Sequence, residues 1–465
     1  MSRQNKLFKN TIIYSIGNFS SKLIAFIMLP LYTKYLSLAD YGYYDIVLTT
    51  ISLILPIVAL QIPESMYRFI LGKENDENSI ISTSYKVLLK NLILFNILYL
   101  VVAHFIGFRF SNLILIQINS LVVSKFFLYI ARAKKKIKLY SLSSFVSSAI
   151  IVISNLALLI LFDAGVKALI LSNILANTGI VFFLESKLRV SKLLKLRNAK
   201  KEITKDLLRF SLPLIPTSII WWVMNVSDRY LIVYYLGESS NGIYAIANKI
   251  PSIIIILYGF YNLAWQDSAI EEIGSKDQSE YFSERFNNVL TFLTTFSIVI
   301  IAFSNIIFSV LVNSKFHEAI NFVPMLLLAT LFYCFSAFYG VGFRTSKETK
   351  GELYSSIAGA LVNITLNVIF IPKYGVIAAA MSTLISFIVV WGYRIFLTRK
   401  YYRIEINYTR IGVLTLFLVI STVLSKSNHT GLEIANITLS MIVFFLLNNK
   451  LILEINNHLK LFKRR

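Results

Sequence analysis

One cysteine, Cys334, is all the thiol in 465 residues. It lies inside an apolar run, so the chain can form no intramolecular disulfide and no thiolate metal cluster. The four histidines, His104, His317, His429 and His458, are scattered at the ends of apolar runs or in the tail. No HExxH pattern and no paired-aspartate motif gathers around them, which excludes the common zinc-hydrolase arrangement. A phosphate-cradling GxxxxGK[ST] loop is also missing, and no polar stretch is long enough to fold as a nucleotide-binding domain. Charge is scarce as well: 15% of residues are Asp, Glu, Lys or Arg, against roughly 25% in a soluble domain. No cofactor and no enzymatic activity are expected. A polymerase or lipid-linked glycosyltransferase would keep a large loop carrying catalytic carboxylates, and the loops on one side of this chain run to about ten residues or fewer.

Apolar residues fill the space that charge leaves. They make up 56% of the chain, and the mean hydropathy is +0.67. Mostly apolar runs of about eighteen residues or more, the length that crosses a bilayer, recur from end to end. The sequence therefore predicts an all-α polytopic membrane protein with about fourteen transmembrane helices. They are expected near 8–32, 43–67, 83–107, 110–131, 139–161, 166–186, 209–236, 242–268, 285–312, 319–343, 351–371, 375–397, 407–425 and 432–453. The basic opening MSRQNKLFKN resembles a signal peptide, but the run behind it is long, contains Lys22 and lacks a small-x-small cleavage site. It reads as a retained first span.

The formal charge of +22 follows the topology. Basic residues collect in alternate loops: the N-terminus, RAKKKIK at 132–138, the connector 187–208, RTSKETK at 344–350, RIFLTRKYYR at 394–403 and the tail LKLFKRR. About 35 of the Lys and Arg fall on that side and about six on the other, and the positive-inside rule makes the basic side cytoplasmic. Both termini are then cytoplasmic. Anionic lipid headgroups are the natural contact of these loops, and nucleic acid is not expected as a partner.

YLSLADYGYYDI at 35–46 is echoed by YLGESSNGIYAI at 235–246, with Tyr35/Tyr235, Leu36/Leu236, Gly42/Gly242, Tyr44/Tyr244 and Ile46/Ile246 in register. GVKALILS at 165–172 is echoed by GVIAAAMS at 375–382, and LYS recurs at 139–141 and 353–355. Three echoes at matching places predict two pseudo-symmetric six-helix lobes and an added C-terminal helix pair. The divisions are an N-terminal lobe at 1–190, a basic connector at 191–208, a second lobe at 209–400, and a helix pair with a basic tail at 401–465. An even helix count makes the repeats parallel, as in transporters whose lobes rock about a shared site. The repeated glycines are expected at tight turns.

Polar residues inside the spans mark candidate sites. The first span carries Thr11, Ser15, Asn18 and Lys22 on one helical face, and the seventh carries Ser211, Ser218, Asn225 and Arg229, with Asp228 beside them. An ionised group near the bilayer centre costs roughly 2.5–3.5 kcal/mol, so these stripes are expected to line a wet cleft. Interhelical hydrogen bonding is the plainer reading for the Ser, Thr and Asn members. Asp45, Glu64, Lys125, Lys249 and Asp267 are further charges within spans. Pro56, Pro63, Pro213, Pro216 and Pro251 predict bends. Lys34 and Arg109, near span ends, read as snorkelling side chains.

SLPLIPTSIIWWVMNVSDRYLIVYYLGESSNGIYAIANKI, at 211–250, resembles the second-lobe opening of Wzx-type oligosaccharide flippases. Pro213/Pro216, Trp222, Asp228-Arg229, Leu236-Gly237 and Gly242-Ile243-Tyr244 carry the likeness. KNTIIYSIGNFSSKLIAFIMLPLYTKYLSLADYGYYDI resembles that family's opening. The family belongs to the multidrug/oligosaccharidyl-lipid/polysaccharide exporter superfamily. The resemblance implies a flippase that turns undecaprenyl-pyrophosphate-linked repeat units outward by alternating access, for surface polysaccharide of the O-antigen or capsule type. Implied partners are the lipid-linked oligosaccharide, membrane lipids and the polysaccharide polymerase with its chain-length machinery. A diphosphate head needs fixed positive charge, and Lys22, Arg229, Lys249, Lys125 and Arg68 are the available cations. Asn18, Asp45, Asn225 and Asp228 are the polar and coupling candidates. Fourteen spans instead of the twelve common in Wzx-type members keep a lipid II-type flippase as the alternative. A drug–cation antiporter comes third, because the seventh-span motif argues against it.

Overall fold

The computed structural model describes residues 24, 26–72, 76–195, 198–272, 274–345, 350–427 and 429–463. Every regular element among them is helical. Among the described residues, eleven helices are long and apolar enough to cross a membrane, or twelve if one bent pair is a single span. Residues such as Phe105 and Leu161, 82% and 75% exposed, give these helices apolar outer surfaces that suit lipid rather than water. The chain is an all-helical polytopic membrane protein. The expected first span, 8–32, falls mostly outside the described residues, and the expected helix at 407–425 is a shorter apolar helix, Tyr408–Leu424.

Contacts divide the chain into two compact units, Met1–Val226 and Ser227–Arg465. The first contains α1 (Leu29–Tyr35), α2 (Leu38–Val58), α3 (Ile62–Gly72), α4 (Glu77–Ile106), α5 (Ser111–Ala133), α6 (Ile137–Leu156), α7 (Gly165–Leu188) and α8 (Lys201–Ser211). The division falls within α9 (Leu214–Leu236). In this unit Val47, Ile51, Ile62, Met66, Val122, Phe126 and Leu184 form one buried apolar cluster. Polar clamps join its elements: Ser65 donates to the Leu207 carbonyl at 3.0 Å and Ser82 to the Leu193 carbonyl at 2.8 Å. Helix α4 begins six residues before the expected span because Asp76 caps it, accepting from the Ser79 amide at 2.9 Å. That amide and the Ser79 hydroxyl, with Lys200 contributing, hold the Asp76 carboxyl below its usual range.

The second unit continues with α10 (Glu238–Ala247), α11 (Ser252–Glu272), α12 (Gln278–Ala302), α13 (Ser304–Leu311), α14 (Val323–Thr345), α15 (Lys350–Tyr374), α16 (Val376–Thr398), α17 (Tyr408–Leu424) and α18 (Thr430–Lys463). Helix α16 packs on both α14 and α15. Trp265 stacks on Phe338 at 4.2 Å between ring centres, and Phe286 meets Phe335, Phe338 and Tyr339 edge-on. The C-terminal pair packs on α12. Asn448 donates to Thr295 Oγ1 at 2.8 Å, and Asn305 to the Ser425 carbonyl at 3.0 Å.

The proline-rich spans are broken as expected, and the breaks are specific. Between Pro56 and Pro63, helix α2 stops and α3 restarts after Leu60 and Gln61, both in left-handed backbone at φ 48° and 49°. Such a conformation costs non-glycine residues roughly 1–2 kcal/mol each. Asn91 holds the break from α4, donating to the carbonyls of Ile57 at 3.2 Å and Val58 at 2.6 Å. A second break precedes α9, at Leu212 and Pro213. A third, by Pro251, bends α10 and α11 by 48°.

Both halves of the repeated sentence begin a helix one or two residues after another has ended: α1 into α2, and α9 into α10. The glycines divide between two roles. Gly42 and Gly242 are buried inside helices rather than at turns, which corrects that expectation: neither takes a positive φ. Gly165 and Gly375 do take positive φ, 51° and 69°, and so does Gly237 at 86°. Gly237 (ψ 171°) and Gly375 (ψ −151°) occupy a region almost closed to other residues. Open space surrounds the Cβ position at both, so alanine there meets backbone strain alone. Gly237→Ala and Gly375→Ala should each destabilise the protein by about 1–3 kcal/mol, read as a lowered melting temperature of the purified protein. An unchanged melting temperature would show that the turns relax.

Candidate functional site

The acid of the seventh span is the centre of a polar cluster in the second unit. Asp228, 5% exposed on α9, accepts the Arg229 amide on Oδ1 at 2.9 Å. Its Oδ2 accepts the Tyr244 hydroxyl from α10 and, at 3.4 Å, the Thr383 hydroxyl from α16. Asn363 of α15 donates to Thr383 Oγ1 at 3.4 Å. Its own Oδ1 takes Ser227 Oγ at 3.3 Å and Asn367 Nδ2 at 2.9 Å. Asn367 Oδ1 is buried and has no hydrogen-bond partner. Three helices thus meet at one carboxylate, with α15 joined through Thr383 and Ser227, and the donors replace part of the hydration it loses.

The repeat explains half of this cluster. Tyr244 is the counterpart of Tyr44, and the offset of the Gly165/Gly375 echo places Thr383 opposite Asn173. In the first unit Asn173 donates to Tyr44 Oη at 2.8 Å. In the second unit the tyrosine and its α16 partner both donate to Asp228, a carboxylate for which the first unit has no counterpart, since position 28 is Met.

The remaining candidates fall in several places. Asn18 and Lys22 lie outside the described residues. The seventh-span stripe is taken apart by the break before α9: Ser211 is buried at the end of α8, and Ser218 joins Gln61 at 2.8 Å. Asn225 is exposed and donates to its own helix at Trp221, 2.7 Å. Arg229 and Lys249 are half-buried, Lys249 in the break between α10 and α11. Arg68 is exposed on α3, and Asp45 is buried on α2. Lys125 is engaged by a partner: its ammonium meets Glu64 at 2.8 Å, and Tyr129 donates to the same carboxylate oxygen at 3.1 Å. In the orientation that satisfies its neighbours, the Gln61 amide adds two donations to Glu64 at 3.0 Å. Arg109 also exceeds its snorkelling role, meeting Asp40 at 3.3 Å. That exposed pair contributes about 1 kcal/mol at most.

Asn363, Asn367 and Thr383 were missed in the sequence, although the i, i+4 pair of asparagines in an apolar helix was the available signal. Arg394 was assigned to a basic loop, and the structure corrects this. It is 1% exposed within α16, donating to the Ser336 carbonyl at 2.7 Å, Ser355 Oγ at 3.0 Å and Ser356 Oγ at 3.2 Å. Among the described residues no group of three His, Cys, Asp or Glu could hold a metal.

The profile of the polysaccharide biosynthesis protein family matches residues 7–266, more than half of the chain. The chain belongs to that family. The MatE family profile matches 213–369, where the Asp228 cluster begins. Among solved structures, the lipid II flippase MurJ in an inward closed conformation superposes with a TM-score of 0.71 at 17% identity, over 96% of this chain and 99% of that one. An inward-facing multidrug resistance MATE transporter of the MOP superfamily gives 0.64 at 13% identity, over 83% and 95%. These likenesses establish a MurJ- and MATE-like fold. Among curated relatives, a protein of the Lsg locus of Haemophilus influenzae is 26% identical over 56% of this chain and 65% of its own length. An uncharacterized membrane protein of Methanocaldococcus jannaschii is 26% identical over 38% and 36%. The chain thus matches between about a third and two thirds of the length of these relatives.

Proposed function

We propose that this family member is a flippase that carries undecaprenyl-pyrophosphate-linked oligosaccharide repeat units across the cytoplasmic membrane by alternating access, for surface polysaccharide synthesis. The observation that carries the reading is the family match over 7–266, joined to cations inside spans that an inert membrane protein has no reason to keep. Arg229 and Lys22 are the principal head-group contacts, with Lys249 and Arg68 in support. Lys125 is the weakest of the five, since Glu64 already neutralises it. Asp228, held by Tyr244 and Thr383 from two other helices, is the coupling candidate. A carboxylate that several moving helices share can bias one packing over another when its charge is neutralised. Fourteen spans in two six-helix lobes with an added pair, and both termini cytoplasmic, complete the proposal. Labelling of cysteines added to either tail checks the orientation. The polysaccharide polymerase and its chain-length machinery would receive the product.

Deleting the gene should abolish surface glycan and leave lipid-linked repeat units on the inner face with glycosyl transfer intact. The MurJ likeness over 96% of the chain favours a second reading, a lipid II-type flippase. On that reading, peptidoglycan precursors would accumulate and cells would lyse. Unchanged surface glycan with new sensitivity to cationic dyes would overturn both.

A further inference from the structure

A second cationic feature belongs to the first unit alone. Lys86 and Lys90 of α4, Lys200 before α8 and Lys201 at its start surround a cavity of about 430 Å³, with Asn91 and Thr204 also in its wall. Lys86 and Lys90 are one helical turn apart and share a face. The same face of α4 continues as Leu94, Ile97, Val101 and Phe105, between 51% and 82% exposed. Ammonium groups therefore give way along one stripe to lipid-facing hydrocarbon. Across the cavity, the first turn of α8 has no side-chain cap on its amides, which favours an anion there, and Glu202 in that turn is exposed and outside the cavity wall. Asp76 is a nearby acid, and its carboxylate is occupied in capping α4. The cavity also borders the broken second span, since Leu60 lines it and Asn91 holds the carbonyls of Ile57 and Val58.

We infer that this cavity binds the phosphate headgroup of an anionic lipid, with the lipid's chains lying along the exposed face of α4. Four lysines suit one or two phosphates. The hydrocarbon stripe separates a lipid from a soluble phosphate compound. The site lies on the side that carries the basic loops, where an anionic leaflet concentrates such lipids. Its occupant bridges the connector to the break in the second span, stabilising their contact. The inference does not depend on what the chain transports.

The test is lipid retention by the purified full-length protein, measured by native mass spectrometry with phosphatidylglycerol, phosphatidylcholine, a polyprenyl phosphate and inorganic phosphate offered separately. All four lysines are exposed, so Lys86→Gln/Lys90→Gln and Lys200→Gln/Lys201→Gln should fold. Each lysine removed should weaken retention about fivefold, and each pair roughly twentyfold or more. Lys135→Gln/Lys136→Gln, an equal charge loss in another basic loop, should change it little. Selective loss of phosphatidylglycerol in the two pair variants identifies a bilayer lipid as the occupant, and selective loss of polyprenyl phosphate identifies a carrier lipid. Equal retention by wild type and variants, equal retention of phosphatidylcholine, or binding of inorganic phosphate without either lipid would overturn the inference.

Discussion

Arg229→Gln should reach the membrane in normal amounts and fail to support surface glycan, whereas Asp228→Asn should lower the amount of folded protein. The two residues are adjacent, yet their surroundings differ. Arg229 is half-buried, and its backbone amide donates to Asp228, a bond that glutamine keeps. What glutamine removes is the fixed charge a diphosphate would meet. Lys22→Gln should behave the same way. Asp228 is buried under donors from α10 and α16, and an amide nitrogen in place of either oxygen would face a group that donates to that position. An unmet buried bond of this kind costs about 1–3 kcal/mol. Tyr244→Phe removes one donor at nearly constant volume and should reproduce part of the Asp228→Asn loss. Immunoblots of membranes and surface-glycan labelling read both effects. Full complementation by both glutamine variants would make Arg229 and Lys22 structural or snorkelling, and the head-group assignment would move to Lys249 and Arg68.

The second large effect is expected at Arg394. Arg394→Ala should lower the melting temperature sharply, by an equivalent of about 2–4 kcal/mol. Its guanidinium ties α16 to Ser336 of α14 and to Ser355 and Ser356 of α15. Truncation removes three charge-assisted bonds and leaves a cavity. The desolvation that a buried cation demands is relieved at the same time, which keeps the net cost below the sum of the bonds. Gly340→Ala offers an independent check, because its Cβ would come within 2.8 Å of Arg394 Nη1 and push the guanidinium off its acceptors. A melting temperature unchanged in both variants would show that α14, α15 and α16 hold together by apolar packing alone. Arg394→Lys should recover little, since a single ammonium cannot reach three acceptors spread around a planar fork.

Hydropathy alone was enough to locate nearly every described span, because length and apolarity are properties of one segment and need no partner. Prolines marked all three breaks, since a missing amide disrupts a helix locally. The repeat marked a helix-to-helix junction in each half, but the helices begin at Leu38 and Glu238, four or five residues before the expected 43 and 242. Partner choice could not be read the same way. Asp228, Tyr244, Asn363 and Thr383 are up to 155 positions apart, and no local period records which helices pack together. Arg394 looked like a loop residue because a basic side chain at a span end normally reaches water. Only the packing of α14 and α15 around it turned that end inward. Ser218 likewise belonged to a polar stripe by period, but a break in the neighbouring span presented Gln61 to it. Local chemistry determined where this chain crosses the membrane and where it bends, and tertiary packing decided which polar groups meet.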